Sequence, residues 1–123
     1  MIFKAIEDIN KHFNTGFTVC DIEYEGLRFS APDNKKWISL FLIPEDANKE
    51  GESGLLKVIC YDTSATLCFK LADEVKDFLD NAQFNGLSFD LGAGDGLGCL
   101  NLENGIYQTV VLFDMRTLNI NCN

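Results

Sequence analysis

The 123 residues carry 19 acidic and 10 basic side chains, a net charge of −9, with a hydrophobic content of 46%. That is one domain's length of chain with enough apolar material for one core, so 1–123 reads as a single domain. The charge repels phosphate backbones and leaves no basic stripe to hold them, and no window reaches the roughly 18 consecutive apolar residues of a membrane helix, so tight nucleic-acid binding and membrane spanning are both disfavoured.

Ile2, Phe3, Ile6, Ile9 and Phe13 recur at three- and four-residue steps, with Lys4, Glu7, Asp8 and Lys11 between them. The spacing predicts an amphipathic helix, with Gly16 placed to end it. Those interspersed charges are foreign to the apolar segment of a secretion signal, so the chain is expected to begin in the cytoplasm. His12 falls in the last turn, where a partly positive imidazole suits the helix dipole; no nucleophile or orienting carboxylate stands near it in sequence.

From Phe17 onward the period shifts to two. Phe17, Val19, Ile22 and Tyr24 predict one short strand, Glu25-Gly26 a turn, and Leu27 with Phe29 a second strand. Pro32 and Asp33-Asn34 mark a further turn. Residues 37–43 are almost wholly apolar and predict a strand buried on both faces, opened by Trp37 and ended by Pro44. Trp37 reads as packing rather than as a ligand platform.

Residues 45–53 hold three Glu, one Asp and one Lys with no apolar residue beyond Ala47, and predict a solvated loop longer than a hairpin requires. Such a segment is either an idle insertion or an arm that orders on a partner. Glu45, Asp46, Lys49, Glu50 and Glu52 are therefore candidate interface residues. A strand follows at 55–61, and then a helix capped by Thr63 or Ser64. Its apolar face is expected to hold Leu67, Leu71, Val75, Phe78 and Leu79, with Glu74, Lys76, Asp77 and Asp80 on the wet side. Leu87, Phe89 and Leu91 predict another strand, residues 92–98 a glycine-rich loop, and Asn104-Gly105 a hairpin turn leading into a central last strand over 106–115. The polar tail 119–123 is expected to fray. The fold class is α+β: a mixed, mainly antiparallel sheet with two helices packed on it, in the order α-β-β-β-β-α-β-β-β.

No cofactor or catalytic motif emerges. Gly92, Gly94, Gly96 and Gly98 alternate, but the dinucleotide fingerprint fails at Leu97 or Cys99, and Cys99-Leu100 replace the Lys and Ser or Thr of a phosphate loop. Asp90 and Asp95 lack the alternating ligands and terminal Glu of a calcium loop. Asp95, in that loop, is kept as a further interface candidate. The five cysteines, Cys20, Cys60, Cys68, Cys99 and Cys122, are odd in number and contain no C-x-x-C pair, so they read as reduced thiols, with Cys60 in the core and no zinc site. No serine lies in a nucleophile elbow.

Three functions remain open: a protein that binds other proteins as part of an assembly, a small acidic protein of phage or bacterial origin that occupies and inhibits a basic site on a host partner, and an enzyme or small-molecule binder using residues 92–98 with Asp90 or Asp95. One resemblance favours the first. An N-terminal helix, then Ile22-Glu23-Tyr24-Glu25-Gly26-Leu27-Arg28-Phe29-Ser30-Ala31-Pro32, then Trp37-Ile38-Ser39-Leu40-Phe41-Leu42-Ile43-Pro44, a loop, a strand over 54–62 and a helix containing Leu71-Ala72-Asp73-Glu74-Val75 together resemble the tail terminator proteins of long-tailed bacteriophages. The glycine content of 92–98 and the cysteine count depart from that pattern. The resemblance implies a homo-oligomeric ring, typically a hexamer, in the virion at the top of the tail. Such a ring caps the major tail tube protein, stops its polymerisation and offers its other face to head-completion or neck proteins. It implies no chemistry and no cofactor, and DNA would pass through the lumen without specific binding, past carboxylates that repel it.

Overall fold

Ala5, Ile9 and Phe13 repeat at four-residue intervals along the first helix, and all three are buried. The computed structural model describes residues 2–45, 53–92 and 98–117. Helix α1 runs Ile2–Gly16, followed by strands β1 (Asp21–Tyr24), β2 (Trp37–Pro44) and β3 (Ser53–Asp62). Helix α2 spans Ala65–Leu79, and strands β4 (Gln83–Phe84), β5 (Leu87–Leu91), β6 (Leu100–Asn101) and β7 (Tyr107–Thr117) complete the chain. The α+β class holds, with the two helices on a mixed, mostly antiparallel sheet.

The sheet is ordered β1-β2-β3-β7-β5-β4, with β6 paired to the start of β7. Among the described residues only β1 and β2 run parallel; every other pairing there is antiparallel. Period-two alternation sends Ile38 and Leu40 of β2, Leu56 and Val58 of β3, and Val111, Phe113 and Met115 of β7 to one face. There they meet Ile9 and Phe13 of α1 and Leu71, Val75 and Leu79 of α2 in one core. Full burial of a Phe- or Leu-sized side chain contributes roughly 1.5–3 kcal/mol, so this shared face dominates the stability.

Several sequence expectations meet their physical limits here. The first strand begins only at Asp21, because Phe17 is held under α1, its N–H donating to the Phe13 carbonyl at 2.9 Å. No strand forms at Leu27 and Phe29: the Leu27 N–H closes a turn on the Tyr24 carbonyl at 3.1 Å, and Leu27 is 65% exposed. Since β1 and β2 are parallel, residues 25–36 must carry the chain back along the strand, and the turn at Leu27 starts that return. Leu67 is exposed, and the buried stripe of α2 is Cys68, Leu71, Ala72, Val75 and Leu79, with Cys68 and Ala72 where Leu67 and Phe78 were expected. Gly16 does end α1, but for space: a Cβ there would lie 2.9 Å from Phe78 Cε1.

Other expectations hold in detail. β2 is buried on both faces from Trp37 to Leu40, and β7 lies between β3 and β5. Ser64 caps α2, its hydroxyl accepting from the Leu67 N–H at 3.2 Å. Asn104 and Gly105 both take positive φ, 65° and 71°, as the hairpin turn demands.

Candidate interface

Of the interface candidates, Glu45 alone is described. It is exposed, and its N–H donates to the Ser53 carbonyl at 3.0 Å, tying off the loop at its base. Asp46, Lys49, Glu50, Glu52 and Asp95 lie outside the described residues, as does the tail 119–123. Gly92 is buried, its N–H bonded to the Leu112 carbonyl at 2.7 Å, and Gly98 accepts from the Thr109 hydroxyl at 3.1 Å, so both ends of the glycine-rich segment are fixed on β7.

Among the described residues the sheet's second face carries no helix. Trp37 stacks on its cross-strand partner Tyr61, with ring centroids 4.2 Å apart and planes at 15°, and Phe29 leans on Trp37 at 6.1 Å. The Trp37 Nε1 is buried without a hydrogen-bond partner. Beside this stack Ser39, fully buried, donates its hydroxyl to Glu23 Oε1 at 2.6 Å, across the parallel β1–β2 pair. Burial raises the Tyr61 pKa, and a hydrogen bond with Ser39 pulls it the other way. Towards the other end of this face Asp90 and Asp114 stand directly opposite each other, a like-charge pair that costs some stability.

A third surface is a cleft of about 370 Å³ along the free edge of β1, lined by Asn14, Phe17, Thr18, Cys20, Asp21, Ile22, Tyr24 and Phe29. The Tyr24 hydroxyl reaches Asn14 Oδ1 at 3.4 Å, joining its two walls. Burial raises the Tyr24 pKa and pushes the Cys20 thiol up to about 12, against a smaller opposing pull from Lys36, so neither side chain is ionised near neutrality. The available chemistry is therefore polar and apolar contact with backbone pairing rather than nucleophilic attack. Sequence reading missed this site because its walls come from residues 14 to 29, assembled by the turn after β1; the one available signal was a short run, Ile22 and Tyr24, beside two acids and a Gly turn.

His12 stacks on Phe84 at 3.8 Å and 13° and lies 4.9 Å from Phe78. Burial lowers its pKa, so the neutral ring is favoured and the expected dipole role yields to packing. Cys20, Cys60, Cys68 and Cys99 are free; Cys68 donates to the Cys60 carbonyl at 3.1 Å, and burial pushes its thiol up to about 12. Among the described residues no three His, Cys, Asp or Glu side chains gather as a metal site would require, and no helix is long and apolar enough to cross a membrane.

These features define a two-layer α+β domain with open sheet edges, one helix-free face and an edge cleft. No family model and no curated protein matches the chain. Among solved structures it is similar to a chain of the "virion of native gene transfer agent (GTA) particle", with a TM-score of 0.60 and 17% identity over 86% of this chain and 83% of that one. A second solved chain, which carries no functional description, is similar with a TM-score of 0.62 and 10% identity, over 88% of this chain and 85% of that one. At these identities the likeness establishes the shared fold.

Proposed function

We propose that this chain is a structural protein of a phage-type virion, a non-enzymatic tail terminator that forms a ring on the end of the tail tube. The observation that carries this reading is the fold shared with a chain of a gene transfer agent virion over 86% of the length, to which the tail-terminator pattern in the sequence adds the specific role. A closed ring needs two different complementary surfaces on each copy, and open edges such as β1 and the two-residue strands β4 and β6 are surfaces of that kind. The net charge of −9 suits a lumen past which DNA slides.

The test is assembly. Purified protein should form a ring, typically of six copies, by native mass measurement and electron microscopy, and should bind the end of tail-tube polymers. Only monomer, with and without tube protein, would overturn the reading; recovery of one host enzyme at fixed ratio from a lysate would replace it with host inhibition. Deleting 46–51 should leave thermal unfolding nearly unchanged, because the Glu45–Ser53 bond and the Pro44–Gly54 pair close the β2–β3 hairpin beneath the loop. The same deletion should impair tail joining, and normal infectious particles from it would remove this loop from the interface.

A further inference from the structure

Among the described residues no strand lies beside the outer edge of β1, and the cleft along it is lined by Phe17, Ile22, Tyr24 and Phe29 together with the polar Asn14, Thr18 and Asp21. Ile22 and Tyr24 pack towards the core, so alternation turns Asp21 and Glu23 to the other face. A strand added here would need apolar side chains at every second position to meet Ile22 and Tyr24. Between them it would need hydrogen-bond donors, amide or cationic, to meet the two carboxylates. Acidic side chains would be repelled.

The sequence after β7 has that form. Leu118-Asn119-Ile120-Asn121-Cys122-Asn123 alternates apolar and amide side chains without one charge. The segment cannot serve its own β1. From β7 to β1 is three strand spacings, about 14 Å. The register sets Tyr24 level with Leu40, Val58 and Val111, six residues back from Thr117 and so about 20 Å along the sheet. The nearest end of β1 is thus about 25 Å away, beyond the roughly 20 Å that six extended residues span. The other open strands are poor occupants, since β4 and β6 are two residues each.

We propose that residues 118–123 of one copy dock as an added strand along β1 of a neighbouring copy, placing Leu118, Ile120 and Cys122 against the cleft and the asparagines beside Asp21 and Glu23. The contact is head-to-tail, with donor and acceptor surfaces at different places on the subunit, which is the kind of contact that closes rings. It names the joint between copies and rests on the ring reading for its closure.

Three proteins test it: the full chain, a chain ending at Thr117, and Ile120→Lys, compared by sedimentation and native mass measurement. The full chain should self-associate. The truncated chain should keep its circular dichroism and remain monomeric, and Ile120→Lys should associate about tenfold more weakly or worse, the burial of one such side chain being worth at least that factor. With Ile120→p-benzoylphenylalanine, light should join position 120 to a peptide within 17–29, and mixing isotopically labelled and unlabelled chains should place the two ends on different copies. A truncated chain that assembles like the full one would overturn the added strand while leaving the ring standing. A full chain whose association needs the tail, but which forms no ring, would overturn the ring while leaving the strand. If truncation unfolds the protein, the photocrosslink decides: a bond within one chain, or to any other region, overturns the proposal, and so does a full chain that stays monomeric.

Discussion

His12 lies against Phe84 and Phe78 with its ring half-buried, and that position sets the sign of a pH effect. Burial lowers its folded pKa below the ordinary 6.5, so between those two values the unfolded chain binds more protons than the folded one. Stability therefore rises with pH through that window and falls as acid is added, down to the folded pKa, below which His12 adds no further loss. Urea unfolding between about pH 5.5 and 7.5, above the ordinary carboxylate range, should show this slope. His12→Phe should flatten it while keeping the aromatic packing, and an unchanged slope in that variant would assign the effect to other groups. Phe13, fully buried and 4.9 Å from Phe78, measures the neighbouring packing: Phe13→Ala should cost about 3–5 kcal/mol by the same unfolding.

Along α2 the buried stripe separates two leucines that periodicity alone joins. Leu71→Ala should cost about 2–5 kcal/mol because the side chain is 1% exposed, whereas Leu67→Ala, at 43%, should stay within about 0.5 kcal/mol. Ser64→Ala removes the cap and should cost about 1 kcal/mol, near 4 °C in melting temperature for a domain of this size. Comparable losses at Leu67 and Leu71 would contradict the stripe. Helix α1, the long strands β2, β3 and β7, and the Asn104-Gly105 turn were legible because each writes its own period or turn chemistry into adjacent residues. The parallel β1–β2 pair was not, since strand direction is decided by the path of residues 25–36 and not by the alternation of Ile22 and Tyr24. That single topological fact turned the expected strand at Leu27 and Phe29 into a connection, sent Phe29 to Trp37, and assembled the β1 cleft. The interface candidates taken from loop composition rested on length and charge, which mark a solvated segment without saying what it meets; only Glu45 among them can be placed, as the clasp at the loop's base.

At the scale of the whole molecule the charge of −9 separates two readings of the same acidic surface. Copies that assemble with one another bring like charges together, so their association is opposed by repulsion acting over about 30 Å at 0.01 M salt and only about 8 Å at 0.15 M. Adding salt across that range should therefore strengthen self-association, all the more because the segment proposed to fill the β1 cleft carries no charge. An acidic protein that blocked a basic site on a host partner would behave oppositely: attraction would speed its encounter at low salt, and binding would weaken as salt rose. Sedimentation of the protein alone between 0.01 M and 0.15 M salt, beside binding to tail-tube polymers over the same range, reads the sign directly. A rise in assembled mass with salt is the expected result. A fall would mean that the copies meet through opposite charges, which would move the joint away from the β1 edge and towards clusters such as Lys57 and Arg116 near Asp90 and Asp114 on the helix-free face.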